Sequence, residues 1–257
     1  MDKTLLSFGH GYSAQALGRH LLGQGWRVIG TTRSAEKAAR LAASGIEARI
    51  WPGSDLTDAL KDASHILISA AAVEGGCPVA TALGPQIVAA RPGWIGYLST
   101  TAVYGDHGGA WVDEDTPLTP GMTRGRQRAE AERQWQALAR AAGAKLAIFR
   151  LAGIYGPGRG PFEKVRAGTA QRIIKHGQMF SRIHVEDIAQ IVAAAMARNA
   201  AGVWNVCDDD PAPPQDVLAH AAELLGLPIP PAVDFDKAEM TPMARSFICS
   251  SKAWMPE

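Results

Sequence analysis

Gly9-x-Gly11-x-x-Ala14 follows a short apolar run and opens an amphipathic stretch. Small residues at this spacing suit an extended anion. The first glycine permits a tight turn, the second lets main chain approach a pyrophosphate, and the small third residue lets a helix pack closely on a strand. The helix that follows, with Tyr12, Ser13 and Ala14 in its first turn, offers N–H groups and a partial positive charge to that anion. Further on, at the end of the next apolar run, stand Thr31, Thr32 and Arg33. An acid at such a place binds the ribose hydroxyls of NAD, and it would repel the 2′-phosphate of NADP. Thr32 and Arg33 instead suit that phosphate, which a guanidinium grips with two hydrogen bonds.

Arg124 and Arg128 lie four residues apart in TRGRQRAEAE, residues 123–132. On a helix of 100° per residue they share a stripe, roughly 80° wide, with Ala131, Trp135, Leu138 and Ala142. That stripe is otherwise apolar and is expected to face inward, with Arg126, Glu130 and Arg133 turned away. A guanidinium stays protonated in proteins, so neither arginine is suited to pass protons at neutral pH. The pair can hold an anion: a cofactor phosphate, or a substrate phosphate or carboxylate. It can equally pair with acids such as those of VDEDT, residues 112–116, and only brace a loop. The spacing leaves both open.

The elements that must position these residues alternate regularly. Strands are expected at 4–8, 27–31, 46–50, 65–70, 94–98, 145–150 and 203–207, with helices near 13–24, 34–44, 78–91, 123–142, 185–199 and 214–226. Such alternation implies a parallel sheet covered by helices on both faces, the doubly wound α/β class. Ligands of that class sit beyond the carboxyl ends of the strands. The loop after 65–70 therefore adds Ala70 and Ala71 to the cofactor-binding set. Residues 1–150 are read as a dinucleotide-binding Rossmann domain, and 151–257 as a small substrate lobe interleaved with the last Rossmann strand and helices.

Composition excludes several classes. The 257 residues are 47% hydrophobic and 20% charged, with a formal net charge of +1, and the basic residues are dispersed. Neither a nucleic-acid nor a membrane partner is expected. Cys77, Cys207 and Cys249 form no C-x-x-C pair, so neither a disulfide framework nor a metal site is expected. The N-terminal apolar run is too short for a signal peptide, and a cytoplasmic protein is expected.

Four further segments, in order, carry a resemblance: LSTTAVYGD (98–106), FRLAGIYGPGR (149–159), SRIHVEDIAQIVAAAM (181–196) and WNVCDDDP (204–211). With the glycine loop, they resemble the extended short-chain dehydrogenase/reductase family, the NAD-dependent epimerase/dehydratase group, over about residues 4–226. The resemblance implies a hydroxyl at Thr100, with Ser99 beside it, as part of the active site. The Asp-Glu pair of the dehydratase members is replaced by Thr101 and Ala102, which disfavours sugar dehydration. The family's Tyr-Gly-x-Ser-Lys-x-x-Ala-Glu matches residues 124–132, where Gly125, Ala131 and Glu132 agree. Arg124 then stands for the catalytic tyrosine and Arg128 for the lysine that holds the nicotinamide ribose. Arg182 and Arg159 are implied as substrate-binding, while His184 and Asp187 fix the loop and the start of the next helix. Tyr104 and Tyr155 are phenols that could supply a proton, although both belong to signatures that accompany a separate catalytic tyrosine. His10 occupies the variable place of the glycine loop. Homodimerisation through 78–91 and 123–142 is implied by resemblance alone. By the resemblance the chain also ends earlier than family members do, so the substrate cleft is expected to be open, or covered by a partner subunit or by a missing segment.

Two functions are consistent with these residues. One is an NADP(H)-dependent oxidoreductase or epimerase-like enzyme with a non-standard active site, acting on a small or nucleotide-linked substrate. The other is a non-catalytic NADP(H)-binding sensor or scaffold.

Overall fold

The computed structural model describes residues 3–240 and 253–254. The strands are β1 (Thr4–Phe8), β2 (Arg27–Thr32), β3 (Glu47–Ile50), β4 (His65–Ile68), β5 (Trp94–Thr100), β6 (Trp111–Val112), β7 (Lys145–Leu151), β8 (Gly153–Tyr155), β9 (Arg172–Ile174), β10 (Arg182–His184), β11 (Gly202–Val206), β12 (Ala232–Asp234) and β13 (Ala253–Trp254). Between them lie the helices α1 (Tyr12–Leu22), α2 (Ala35–Ala43), α3 (Thr57–Asp62), α4 (Pro78–Ala90), α5 (Thr123–Ala142), α6 (Pro161–Arg166), α7 (Val185–Ala197) and α8 (Pro214–Leu225). Cys249 lies outside the described residues, as does most of the tail beyond residue 240.

The seven strands of the central sheet run in the order β11-β7-β5-β4-β1-β2-β3. Strand β1 pairs in parallel with β2 on one side and with β4 on the other. The chain order reverses there, and ligands of this fold class sit at the carboxyl edge of such a switch point. All five residues of β1 are buried, as a strand covered on both faces requires. Helix α4 packs on α5 and α1 on α7. Beneath α4 and α5, Phe8, Ile68, Tyr97, Ala131 and Trp135 join one apolar cluster.

Local chemistry sets several helix ends. The Ser34 hydroxyl caps α2 by accepting from the Lys37 N–H, with Glu36 in the first turn and Arg40 in the last. Pro78 opens α4, and Gly226, at φ 64, closes α8.

Two compact units emerge: residues 1–100, 123–150 and 185–204 form the first, and 101–122, 151–184 and 205–257 the second. Residues 101–122 thus group with the second unit, whereas the sequence places all of 1–150 in one domain. The second unit contains three parallel strand pairs, β8–β10, β9–β12 and β6–β13. Its α6 and α8 close over Val165, Ala170, Ala221 and Ala222.

Candidate functional site

Gly9 leaves β1 with φ 72, and a Cβ there would stand 2.8 Å from the Cα and N of Ala70. Only glycine fits that approach. The loop is held by Thr31, whose Oγ1 accepts the Gly9 N–H at 2.9 Å and whose carbonyl accepts the His10 N–H at 2.9 Å. On the far side, the Ser69 N–H donates to the Phe8 carbonyl at 2.9 Å. Gly11 precedes α1 without a side-chain cap, and no acid stands in the helix's first turn. A Cβ on Gly11 would meet only the Gly9 carbonyl oxygen, at 3.4 Å, so the space above it is open. Ala14 is fully buried, as the close packing of helix on strand requires. These residues fit a dinucleotide pyrophosphate.

His10 points the other way from the anion. It is fully buried in a slot left by Gly18 and Gly30, where a Cβ would come within 3.0 and 2.9 Å of its ring. Among the described residues neither ring nitrogen has a hydrogen-bond partner. Burial lowers its pKa to about 4, helped by the nearby charge of Lys37. His10 is therefore a neutral spacer beneath the loop and does not line the pyrophosphate.

At the end of β2, Thr31 and Thr32 are buried and Arg33 is exposed. The Thr32 hydroxyl accepts from the Ser34 N–H at 3.4 Å. In register with Thr31 lies Arg49 of β3, and half-buried Lys37 sits in the first turn of α2. Both cations escape the glycine and β2 motifs, although lysine at four residues from Arg33 was a readable signal. Beyond Ala70 and Ala71, Gln134 of α5 latches the loop. Its Oε1 accepts the Cys77 N–H at 2.7 Å and its Nε2 donates to the Gly75 carbonyl at 2.7 Å.

Thr100 ends β5, half-buried. The two arginines expected at the head of the inward stripe part company. Arg124 is exposed, because it lies in the first turn of α5 and helical side chains lean towards the N-terminus, here past the end of the packed face. The face that packs comprises Gly125, Ala129, Ala131, Glu132, Trp135, Ala139 and Ala142. Arg128 is half-buried and turns onto β5. Its Nη1 donates to the Leu98 carbonyl at 2.9 Å and to the Tyr97 hydroxyl at 3.2 Å, and its guanidinium lies 5.8 Å from the Tyr97 ring centroid. Burial pushes the Tyr97 phenol up to about 12, with Arg128 pulling the other way. One turn beyond Arg128, Glu132 forms a sealed network. Its Oε2 accepts from Arg150 Nη2 at 2.9 Å, and its Oε1 accepts from the Ser99 hydroxyl at 2.5 Å. Ser99, Glu132 and Arg150 are all at most 5% exposed. The sequence matched Glu132 to the signature without revealing this partner.

In the second unit, Arg159 is exposed in a turn closed by reciprocal hydrogen bonds with Gly156, both 2.9 Å. Arg182 donates from Nη1 to the Phe180 carbonyl at 2.9 Å and to the Ala212 carbonyl at 3.0 Å, its guanidinium 5.4 Å from the Phe180 ring centroid. Burial lowers its pKa, while the charges of Asp208 and Tyr155 work to raise it. Tyr104 is fully buried and donates to Asn205 Oδ1 at 2.8 Å, which removes it as a proton donor. Tyr155 is half-buried, edge-on to His184 with ring centroids 5.2 Å apart. Asp187 stands in the first turn of α7.

The model of the NAD dependent epimerase/dehydratase family matches residues 8–207. The chain belongs to that family. Within reach of it, protein YeeZ of Escherichia coli K12 is 34% identical over 246 residues, covering 89% of this chain and 86% of its own. A functionally unknown conserved protein from Silicibacter pomeroyi DSS, solved as a structure, is 60% identical with a TM-score of 0.93, over 99% of this chain and 89% of that one. The fold extends to more distant solved structures. UDP-glucuronic acid 4-epimerase from Bacillus cereus, solved in complex with NAD, superposes with a TM-score of 0.76 at 17% identity, over 98% of this chain and 89% of that one. Among the described residues, no helix is long and apolar enough to cross a membrane.

Proposed function

We propose that the chain binds NADP(H) on its first unit and acts as an oxidoreductase or epimerase-like enzyme on a small or nucleotide-linked substrate bearing a phosphate or carboxylate. The observation that carries this is the glycine loop. It pairs a positive-φ Gly9 wedged against Ala70 with an α1 N-terminus that lacks both a side-chain cap and an acid. Family membership supports the nicotinamide dinucleotide, and the NAD complex of the Bacillus cereus relative is in keeping with it. The preference for NADP rests on Arg33, on Lys37 in the first turn of α2 and on Arg49 opposite Thr31 on β3, with no acid at the end of β2. When bound, the nicotinamide supplies the hydride acceptor or donor.

The protein's own residues do the rest. Gly9, Gly11 and the first turn of α1 hold the pyrophosphate, and Arg33 with Lys37 holds the 2′-phosphate. Arg124 and Arg128 stand for the family's tyrosine and lysine. Arg128, fixed on Leu98 and Tyr97, serves as a rigid donor to ribose hydroxyls. Arg124, exposed and permanently charged, binds an anion or steadies developing oxyanion charge. Thr100 lends a hydroxyl, and Arg159 and Arg182 are assigned to a substrate phosphate or carboxylate. The sensor alternative differs in one respect, since it needs cofactor and no turnover.

Paired titrations of NADPH and NADH, read by energy transfer from the tryptophans, test this. NADPH is expected to bind at least about tenfold tighter, a difference of about 1.4 kcal/mol. Arg33→Ala should erase that preference and leave NADH affinity in place. Equal binding of both cofactors by the parent protein would refute the NADP assignment.

A further inference from the structure

A buried ion pair is a weak device for stability, because apolar side chains of similar volume can often replace it without loss. The Glu132–Arg150 pair also holds a serine, and that third member gives it a different use. Ser99, Glu132 and Arg150 all belong to the first unit. Glu132 Oε1 accepts from the Ser99 hydroxyl at 2.5 Å and from Arg150 Nε at 3.3 Å, while Oε2 accepts from Arg150 Nη2 at 2.9 Å. Ser99 is the penultimate residue of β5 and Arg150 of β7, and the two strands are neighbours in the sheet. One carboxylate on α5 thereby ties two adjacent strand ends at the carboxyl edge.

We propose that Ser99 and Glu132 are positioning residues, a clasp that fixes the end of β5 against α5 and so holds the Thr100 hydroxyl and the Arg128 guanidinium in place for the nicotinamide ribose. The inference rests on the cofactor reading above. Arg128 and Glu132 lie one helical turn apart on α5. Tyr97 and Ser99 lie two residues apart on β5 and share the face that meets that helix. Arg128 takes the Tyr97 hydroxyl and the Leu98 carbonyl, and Glu132 takes the Ser99 hydroxyl. Two successive turns of the helix thus grip three successive residues of the strand, and Thr100 is the next.

The two grips differ in strength. Arg128 is half-buried, so water competes for its acceptors. Glu132 is 2% exposed, and its bond to Ser99 is short, charge-assisted and shielded from water. The Leu98 carbonyl adjoins Ser99, so the anchor of Arg128 moves only if the Ser99–Glu132 bond yields. Among the described residues, both hydrogen bonds of Arg128 come from Nη1, which leaves the donors of Nη2 for a ligand. The chain passes into the second unit after Thr100 and again after Arg150, so both segments start from a point the clasp holds.

Ser99→Ala tests this while leaving the ion pair whole. Its melting temperature should fall by only about 3–6 °C, the cost of one hydrogen bond to a charged acceptor. Nitrogen NMR of the arginine guanidinium groups reads the clasp without cofactor. The Arg128 signals are identified by their loss in Arg128→Lys. Its two Nη atoms should be resolved in the parent protein, merge through free rotation in Ser99→Ala and be resolved again in Ser99→Thr, which keeps the hydroxyl. Arg150, still paired with Glu132, should stay resolved throughout. Merged Arg128 signals in the parent, or resolved ones in Ser99→Ala, overturn the proposal. Calorimetry then compares NADPH with adenosine 2′,5′-bisphosphate, which lacks the nicotinamide ribose. Ser99→Ala should weaken NADPH binding about three- to tenfold and leave the fragment's affinity unchanged. Equal losses for both ligands, or a loss for neither, overturn the positioning role. A parent protein that binds neither ligand refutes the cofactor reading itself, and the guanidinium signals alone then decide the clasp.

Discussion

Glu132→Ala should be among the most damaging single changes in the first unit. The substitution takes a carboxylate away from a guanidinium that is only 5% exposed and from the Ser99 hydroxyl. Breaking a buried ion pair from one side costs about 3–5 kcal/mol, and the lost bond from a hydroxyl to a charged acceptor about 1.5 kcal/mol more. A total near 5 kcal/mol is a third or more of a typical domain's stability of about 5–15 kcal/mol. At about 2–4 °C per kcal/mol for domains of this size, the melting temperature should fall by about 10–20 °C. Urea titrations and thermal melts by far-ultraviolet circular dichroism would measure it. The diagnostic partner is Glu132→Leu combined with Arg150→Met, which replaces the pair by apolar groups of similar length. Desolvating two charges offsets most of what their attraction returns, so the double variant should recover most of the loss. A single-variant cost below about 1 kcal/mol would place the pair in the range of surface salt bridges and refute the burial argument. Simple addition of the two single effects in the double variant would refute it as well.

Other perturbations reach different parts of the molecule. Gly9→Ala sets a Cβ 2.8 Å from Ala70 main chain at φ 72, so NADPH affinity should fall at least about a hundredfold, about 2.7 kcal/mol, in the energy-transfer titration. His10 has a pKa of about 4 when folded against 6.5 when free, so the unfolded chain binds the extra proton between those values. Stability should therefore be undiminished above about pH 6.5 and decline as pH falls towards 4, by about 3 kcal/mol. His10→Leu should flatten that component of the urea-midpoint profile, and an unchanged slope would show that His10 does not carry it. Tyr97→Phe removes one of the two Nη1 acceptors of Arg128. It should weaken NADPH binding a few-fold with little change in melting temperature, and a large loss of stability without loss of affinity would mark the hydroxyl as structural only.

The fold was legible where the sequence is periodic. All seven sheet strands and six of the helices coincide with the expected elements, the interior strands because a strand covered on both faces reads as a continuous apolar run, while the edge strands β3 and β11 are only partly buried. The glycine loop was legible because its chemistry is local: turn, approach and helix start lie within six residues. Helices α3 and α6, each of six residues, and the two- and three-residue strands of the second unit are too short to establish a period. They exist through pairing with distant chain, as β9 does with β12. Arg128 and Glu132 were visible as charges at inward positions. Their partners Leu98, Tyr97, Ser99 and Arg150 were not, since helical geometry specifies which side faces the sheet and not which strand residue waits there. Arg124 shows the converse error. A helical wheel treats every position as equally packed, whereas the first turn of α5 has its side chains beyond the packed face.

Thr31 has a consequence for how this protein could change. It holds the glycine loop twice, by side chain to Gly9 and by carbonyl to His10, while in the proposed reading its neighbours Thr32 and Arg33 are where the two cofactors would be told apart. Gripping and choosing are assigned to adjacent but separate residues. A lineage, or a laboratory selection, could rewrite the choice at 32 and 33 without loosening the grip at 31. If that reading holds, cofactor exchange at this strand end is open to small mutational steps, each passing through a protein whose glycine loop is still held.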